Sequence, residues 1–286
     1  MPFVDKNTGK QATFSLNCNG RLVDLSTPKV MGILNLTPDS FYQSSRAAST
    51  QQALQQAERM LAEGATFLDL GGMSSRPGAE VVNSTAELNR IRESLIAIRK
   101  AFPEALLSID TIHATTARAC IDLGADLVND ISGGKFDAQM LETVAKCGVP
   151  FIAMHMRGTP QTMKSLAIYD DLLLEVTDYF IERTIACQQA GIVDIVIDPG
   201  FGFAKTSEQN FQLLNRLSEL RILGFPILAG ISRKSMIWKT LGETPDDALN
   251  GTTALHMVCL QQSANILRVH DVKEAVECVE LFGKLR

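Results

Sequence analysis

No run of about 18 apolar residues occurs in the chain, and its start lacks the basic and then apolar pattern of a secretory leader. Neither a membrane span nor export is therefore expected, and the cytoplasm is the default compartment. Long basic runs are missing as well, and the net charge is −5. That balance argues against nucleic acid as the main partner but leaves room for a local basic pocket that holds a small anion. The six cysteines (Cys18, Cys120, Cys147, Cys187, Cys259, Cys278) are scattered and include no Cys-x-x-Cys pair; they read as reduced core thiols. Ser/Gly/Pro linkers and low-complexity tracts are absent, so nothing announces a second domain.

What is present is ordinary globular material, 45% hydrophobic and 21% charged, in a length that suits one α/β barrel with short additions. Residues 1–28 are read as a decoration. Thr13–Leu16 and Arg21–Leu25 flank Asn17-Cys-Asn-Gly20, and Asn-Gly supplies the positive φ of a tight hairpin turn. From residue 29 to 286 a strand, polar loop and helix pattern repeats. The expected strands are Val30–Leu34, Thr66–Leu70, Ala105–Ile109, Asp126–Val128, Pro150–Met154, Val193–Ile197, Pro226–Ala229 and Asn265–Val269. Between them, sets such as Ala53, Leu54, Ala57, Met60, Leu61 and Leu88, Ile91, Leu95, Ile98 fall on single helix faces. Gly64, Gly124, Gly148, Gly191 and Gly224 stand where helices should end. Eight strands alternating with helices predict a (β/α)8 TIM barrel, an α/β fold here with a short N-terminal β-hairpin. A doubly wound open sheet is the competitor.

In such a barrel the loops after the strands share one face, so polar residues distant in sequence can converge there. All eight strand ends are polar. The most informative is Val193–Lys205, an apolar strand running into Asp198-Pro-Gly-Phe-Gly-Phe203. Capping of the next helix accounts for polar residues such as Thr37, Asp39, Ser84 and Asp271. It does not account for Arg76, Lys234, Arg268 and His270, cations at helix-start positions where the macrodipole favours anions, which points to a bound phosphate group. Asp110, Asn129 and Asp198 close apolar strands and need donors, such as the edge of a flat heterocycle.

These residues carry a resemblance. Met31-Gly-Ile-Leu-Asn-Leu-Thr-Pro-Asp-Ser-Phe41, Gly71-Gly with Ser74 and Arg76-Pro-Gly78, Asp110, Asn129-Asp-Ile-Ser-Gly-Gly134, His155-Met with Gly158 and Pro160, Asp198 to Phe203, Ser232-Arg-Lys-Ser235 and Arg268-Val269-His270 stand in the order found in bacterial dihydropteroate synthases. Over residues 28–286 the chain resembles that pterin-binding TIM-barrel family. The resemblance implies a transferase of folate biosynthesis that joins (7,8-dihydropterin-6-yl)methyl diphosphate to 4-aminobenzoate, giving 7,8-dihydropteroate and pyrophosphate. It further implies Mg2+, a homodimer, sensitivity to sulfonamides, and no nucleic-acid or membrane partner. Asp110, Asn129, Asp198 and Lys234 match pterin contacts, with Asp110, Asp198 and Lys234 as the catalytic group and Ile131 and Met154 as ring walls. Asn35 matches the magnesium ligand. Ser75, Arg76, Arg268 and His270 match diphosphate contacts, with Val269 inside the same motif. Phe41, Pro77, Phe203 and the Lys234-Ser235 turn match the aminobenzoate pocket.

Three departures stand out: Met73 where the family commonly has Glu, Ser75 where Thr is common, and Phe41-Tyr-Gln-Ser-Ser-Arg46 where an Asp-Gly-Gly is common. Two other functions fit parts of the pattern. A pterin-binding methyltransferase would share the ring contacts but has no diphosphate to hold, and a catalytically silent pterin-binding paralogue could tolerate the altered loops. A dimer surface is expected around Ala254, Leu255, Val258 and Cys259.

Overall fold

The computed structural model describes residues 13–37, 46–74 and 82–285. It opens with an antiparallel hairpin, β1 (Ser15–Cys18) and β2 (Arg21–Asp24). Asn19 and Gly20, at φ 53° and 85°, make the turn that the Asn-Gly pair predicted. Eight parallel strands follow: β3 (Lys29–Asn35), β4 (Phe67–Gly71), β5 (Leu106–Asp110), β6 (Leu127–Asp130), β7 (Phe151–Met154), β8 (Ile195–Asp198), β9 (Leu228–Ala229) and β10 (Ile266–Val269). Neighbours pair in sequence order, β10 returns to β3, and a bridge between Ile197 and Ile227 joins the two remaining edges. The sheet is therefore a barrel and the open-sheet alternative is excluded.

Helices fill the outer ring: α1 (Arg46–Ala62), α2 (Ser84–Ala101), α3 (Ala114–Asp122), α4 (Met140–Cys147), α5 (Leu172–Ala190), α6 (Ser207–Asn215), α7 (Ser235–Leu241), α8 (Leu249–Gln261) and α9 (Val272–Gly283). None of the described helices is long and apolar enough to cross a membrane. The apolar faces read from spacing are the faces that pack: Ala53, Ala57 and Met60 from α1 and Ile91, Leu95 and Ile98 from α2 are buried in one layer with the outward side chains of the strands. Gly148, Gly191 and Gly224 end their helices in the left-handed conformation. Asp271 and Ser84 do not cap: Asn83 accepts from Ala86 N–H for α2, and the Asp271 carboxylate binds Arg233 instead.

Strand alternation builds the barrel interior in layers. Met31, Phe67, Leu106, Leu127, Ile152, Val196, Leu228 and Ile266, one from each strand, form an apolar floor that Leu16, Cys18, Val23 and Leu25 of the hairpin close from below. Asp126 fixes that plug by accepting from Arg21 and Arg99, each at 2.6 Å. Two residues further along, the same inward register presents Ile33, Asp69, Ser108, Asn129, Met154, Asp198, Gly230 and Arg268. Polarity therefore starts one step above the floor, inside the strands. For this reason β3, β4, β5, β6 and β8 run one or two residues past their expected ends, whereas β7, β9 and β10 end where expected. Asn35, Asp110, Asn129, Asp198 and Arg268 are the last or nearly last residues of the ladder, not the first of a loop. Val193, expected to open a strand, is 88% exposed and lies before the first paired residue.

Candidate active site

The mouth of the barrel gathers three carboxylates and two cations. Arg268 lies between two acids, its Nε donating to Asp69 Oδ2 at 2.6 Å and its Nη2 to Asp110 Oδ2 at 2.7 Å. Asn129 Nδ2 donates to the same Asp69 oxygen at 3.0 Å. Burial drives the Asp110 carboxyl up, to about 7, although Arg268 pulls it the other way. Burial lowers the guanidinium's hold on its proton too, but Asp69 and Asp110 more than offset this and Arg268 stays charged. Asp198, also raised by burial against the pull of Lys234, accepts the Gly200 N–H at 2.8 Å across the tight turn after β8.

Lys234 stands just before α7, and its ammonium is hydrogen-bonded to the Phe201 carbonyl and lies 4.5 Å from the centre of the Phe203 ring. Burial lowers it to about 8. Ser232 Oγ accepts the His270 backbone N–H at 3.1 Å and lies 3.0 Å from His270 Nδ1. The hydroxyl proton can then go to Nδ1, which leaves the ring proton on Nε2. Arg233, at φ 53°, does not face a ligand: it makes a double ion pair with Asp271 and donates to the Pro245 and Asp246 carbonyls, tying three loops together.

One wall of the mouth is apolar. Met73, Ile112, Ile131, Met154, Met156, Met163, Phe203 and Ala204 form a single buried cluster above the barrel. Ile131 and Met154 are thus core and wall at once, and Met73 fills apolar space here.

The arrangement can hold a flat ring with donor edges against Asp110, Asn129 and Asp198, with cations alongside. The sequence pattern of the family described as pterin binding enzyme matches residues 31–270. The chain belongs to that family. The dihydropteroate synthase of Escherichia coli (strain K12) is 42% identical over 268 residues, 93% of this chain and 94% of the relative. Among solved structures, the Yersinia pestis dihydropteroate synthase in a sulfonamide drug complex shares 41% identity with a TM-score of 0.90, covering 96% of this chain and 99% of its own. The Xanthomonas albilineans dihydropteroate synthase with 4-aminobenzoic acid shares 37% with a TM-score of 0.88, covering 96% and 98%.

Set beside the pterin-binding family's pattern, most of the expected residues converge. Asp110, Asn129, Ile131, Met154, Asp198, Phe203, Lys234, Arg268 and His270 surround the mouth, Ser235 opens α7 in an exposed position, and Asn35 ends β3. Phe41, Ser75, Arg76 and Pro77 lie outside the described residues. Two expectations need correction. Val269 is fully buried in the layer between strands and helices, because alternation turns it away from the interior that Arg268 enters. Arg268 is not at a helix start but within β10, paired with two carboxylates.

Sequence reasoning missed Asp69, which sits mid-strand with no mark of function, and placed Lys205 on the loop after β8 without its partner. Lys205 Nζ donates to the Gly200 and Phe203 carbonyls, each at 3.1 Å, and lies 2.9 Å from His155 Nδ1. A separate cavity of about 740 Å³ lies beside α5, bordered by Lys135, Arg157, Tyr179 and Glu182. It shares no charged side chain with the mouth, and its cations are already paired, Lys135 with Glu182 and Arg157 with Glu175. Thiol chemistry finds no support at the site: burial pushes Cys120 and Cys187 up to about 12.

Proposed function

We propose that the protein condenses (7,8-dihydropterin-6-yl)methyl diphosphate with 4-aminobenzoate to give 7,8-dihydropteroate and pyrophosphate, the reaction of folate synthesis for which its relatives are named. The observation that carries this is the meeting of Asp110, Asn129, Asp198 and Lys234 at one barrel mouth beside Phe203 and the Ser232–His270 pair. Asp110, Asn129 and Asp198 accept from the ring, and Lys234 donates to it. The pterin methylene carbon loses its bond to the diphosphate oxygen, the electron pair leaving with pyrophosphate. The aromatic amine forms the new carbon–nitrogen bond and gives up a proton. Asp110 and Asp198 stabilise the positive charge that the ring acquires, so catalysis is electrostatic placement and no side chain needs to act as a nucleophile.

Asn35, Ser75, Arg76, Arg268 and His270 are assigned to the diphosphate end, Arg268 acting from its place between Asp69 and Asp110. Among the described residues no group of three or more His, Cys, Asp or Glu side chains could cage a metal. Mg2+ does not need such a cage, being commonly held by one or two protein oxygens together with substrate phosphates and water. Asn35 would supply a carboxamide oxygen, and the metal would neutralise charge on the leaving pyrophosphate. Phe203, Ser235, Phe41 and Pro77 are assigned to the aminobenzoate, the place where a sulfonamide should compete.

The chain works as a cytoplasmic homodimer in this reading. Ala254, exposed on α8, and the half-buried Leu255 and Val258 belong to the proposed surface, whereas Cys259 is buried in the core and cannot contribute. Light scattering that finds only monomer at micromolar concentration would remove the dimer.

Pyrophosphate release by the purified protein tests the activity. It should require both the pterin diphosphate and 4-aminobenzoate, with Mg2+. Pterin binding without release selects the silent paralogue, and methyl transfer from methyltetrahydrofolate to a corrinoid protein selects the methyltransferase.

A further inference from the structure

Asp69 is fully buried in β4, in the same inward layer as Asn129 and Arg268, and no motif reading assigns it a part. Its Oδ2 alone receives both Asn129 Nδ2 at 3.0 Å and Arg268 Nε at 2.6 Å, and Oδ1 is buried without a hydrogen-bond partner among the described residues. A carboxylate only accepts. An asparagine beside it must therefore turn its NH2 group toward the acid and its carbonyl oxygen the other way. Arg268 is held by the same acid at Nε and by Asp110 at Nη2, so its guanidinium plane is fixed from two sides.

We propose that Asp69 is a positioning residue that sets the sense in which Asn129 reads the bound ring: the carbonyl oxygen is presented to a ring N–H, and acceptor edges are refused. The inference rests on the pterin reading above and deepens it, since it names the hydrogen-bond polarity that the site selects. A residue at position 69 with no acceptor removes the constraint. Asp69→Ala takes away the one oxygen that holds the Asn129 NH2 group, so the carboxamide can turn and offer that group to the ligand.

The experiment is a double-mutant cycle on equilibrium binding of 6-hydroxymethyl-7,8-dihydropterin, measured by calorimetry, with thermal melting of each variant recorded alongside. Asp69→Ala should weaken binding at least about tenfold, the size of one buried donor or acceptor left wrongly paired. In the Asn129→Ala background the same substitution should cost at least about threefold less, because the group it acts through is gone. Equal losses in both backgrounds would show a purely structural acid and overturn the proposal. A structure of the unaltered protein with the pterin reads the same relationship without any substitution and serves if Asp69→Ala does not fold. Asn129 should keep Nδ2 within hydrogen-bond distance of Asp69 and meet a ring N–H, and contact with a ring acceptor instead overturns the proposal. If the unaltered protein does not bind the pterin at all, the functional reading itself falls, and this inference falls with it.

Discussion

Lys205 Nζ lies 2.9 Å from His155 Nδ1 and between the carbonyls of Gly200 and Phe203, so a lysine and a histidine share one enclosed hydrogen bond behind the loop that carries Asp198. Both groups are shifted toward neutrality by burial, His155 well below its ordinary value and Lys205 to about 7. Lysine then donates and the imidazole accepts. This pair holds the backbone of the Asp198 loop from behind while its front faces the mouth.

That arrangement has a pH signature. Above about 7 the folded protein leaves Lys205 neutral, whereas the unfolded chain keeps it protonated up to the ordinary lysine value of 10.5. The unfolded state binds the extra proton, so stability rises with pH across this window, by at most about 1.4 kcal/mol per pH unit for one group. Urea unfolding between pH 7 and 10 should show this rise, and Lys205→Met should lose it. Parallel stability curves for the two proteins would mean that Lys205 stays charged.

The activity should also be bounded by two displaced groups. Asp110 is raised to about 7 and Lys234 lowered to about 8. If the ring needs Asp110 ionised and Lys234 protonated, kcat/KM follows a narrow bell, with an acid limb above the usual carboxylate range and an alkaline limb below the usual lysine range. Lys234→Arg should abolish the alkaline limb while lowering the maximum. An alkaline limb that persists in this variant would assign it to another group.

Asp110→Asn should reduce kcat/KM by about 10²–10³, the scale of one transition-state contact, with a smaller effect on pterin binding. The charge matters most when the ring is cationic. In substrate carrying heavy oxygen at the bridge between carbon and phosphorus, reversible breaking of that bond should scramble the label, and Asp110→Asn should slow the scrambling. A closed complex with a poorly reactive aminobenzoate analogue that never scrambles, where pyrophosphate can still rotate, would argue for displacement in one step.

Gly200 is at φ 68°, and a Cβ there would run into the His155 carbonyl oxygen. Gly200→Ala should therefore cost more than the roughly 1–2 kcal/mol of a left-handed residue alone, and pterin affinity should fall because Asp198 accepts the Gly200 N–H. Chemical unfolding and calorimetry check both. An unchanged protein would mean that the turn relaxes freely.

The barrel was legible because a parallel sheet covered on both faces writes its strands as apolar runs, and glycines punctuate the helix ends at Gly148 and Gly191. Asp110, Asn129 and Asp198 were legible because they interrupt those runs at their ends. Asp69 was not, since Leu68-Asp69-Leu70 reads as one polar residue inside a strand and only the barrel's stagger brings it beside Asn129 and Arg268. Arg268 was recognised as functional but without its two acid partners, which lie on strands β4 and β5, far away in sequence. Val269 was carried along by its motif although its side chain faces the helices. Lys205 followed the glycine-rich loop in plain view, but its partner His155 comes from a different strand end.

The hairpin at the base of the barrel is made before any barrel strand and yet can be placed only last. Leu16, Cys18, Val23 and Leu25 cover a floor assembled from all eight strands, the final one ending at Val269, and the Arg21 clasp reaches Asp126 from the middle of the chain. During elongation these four apolar side chains lack their complete native surface until β10 has been made. Full burial of the hairpin therefore depends on closure of the ring.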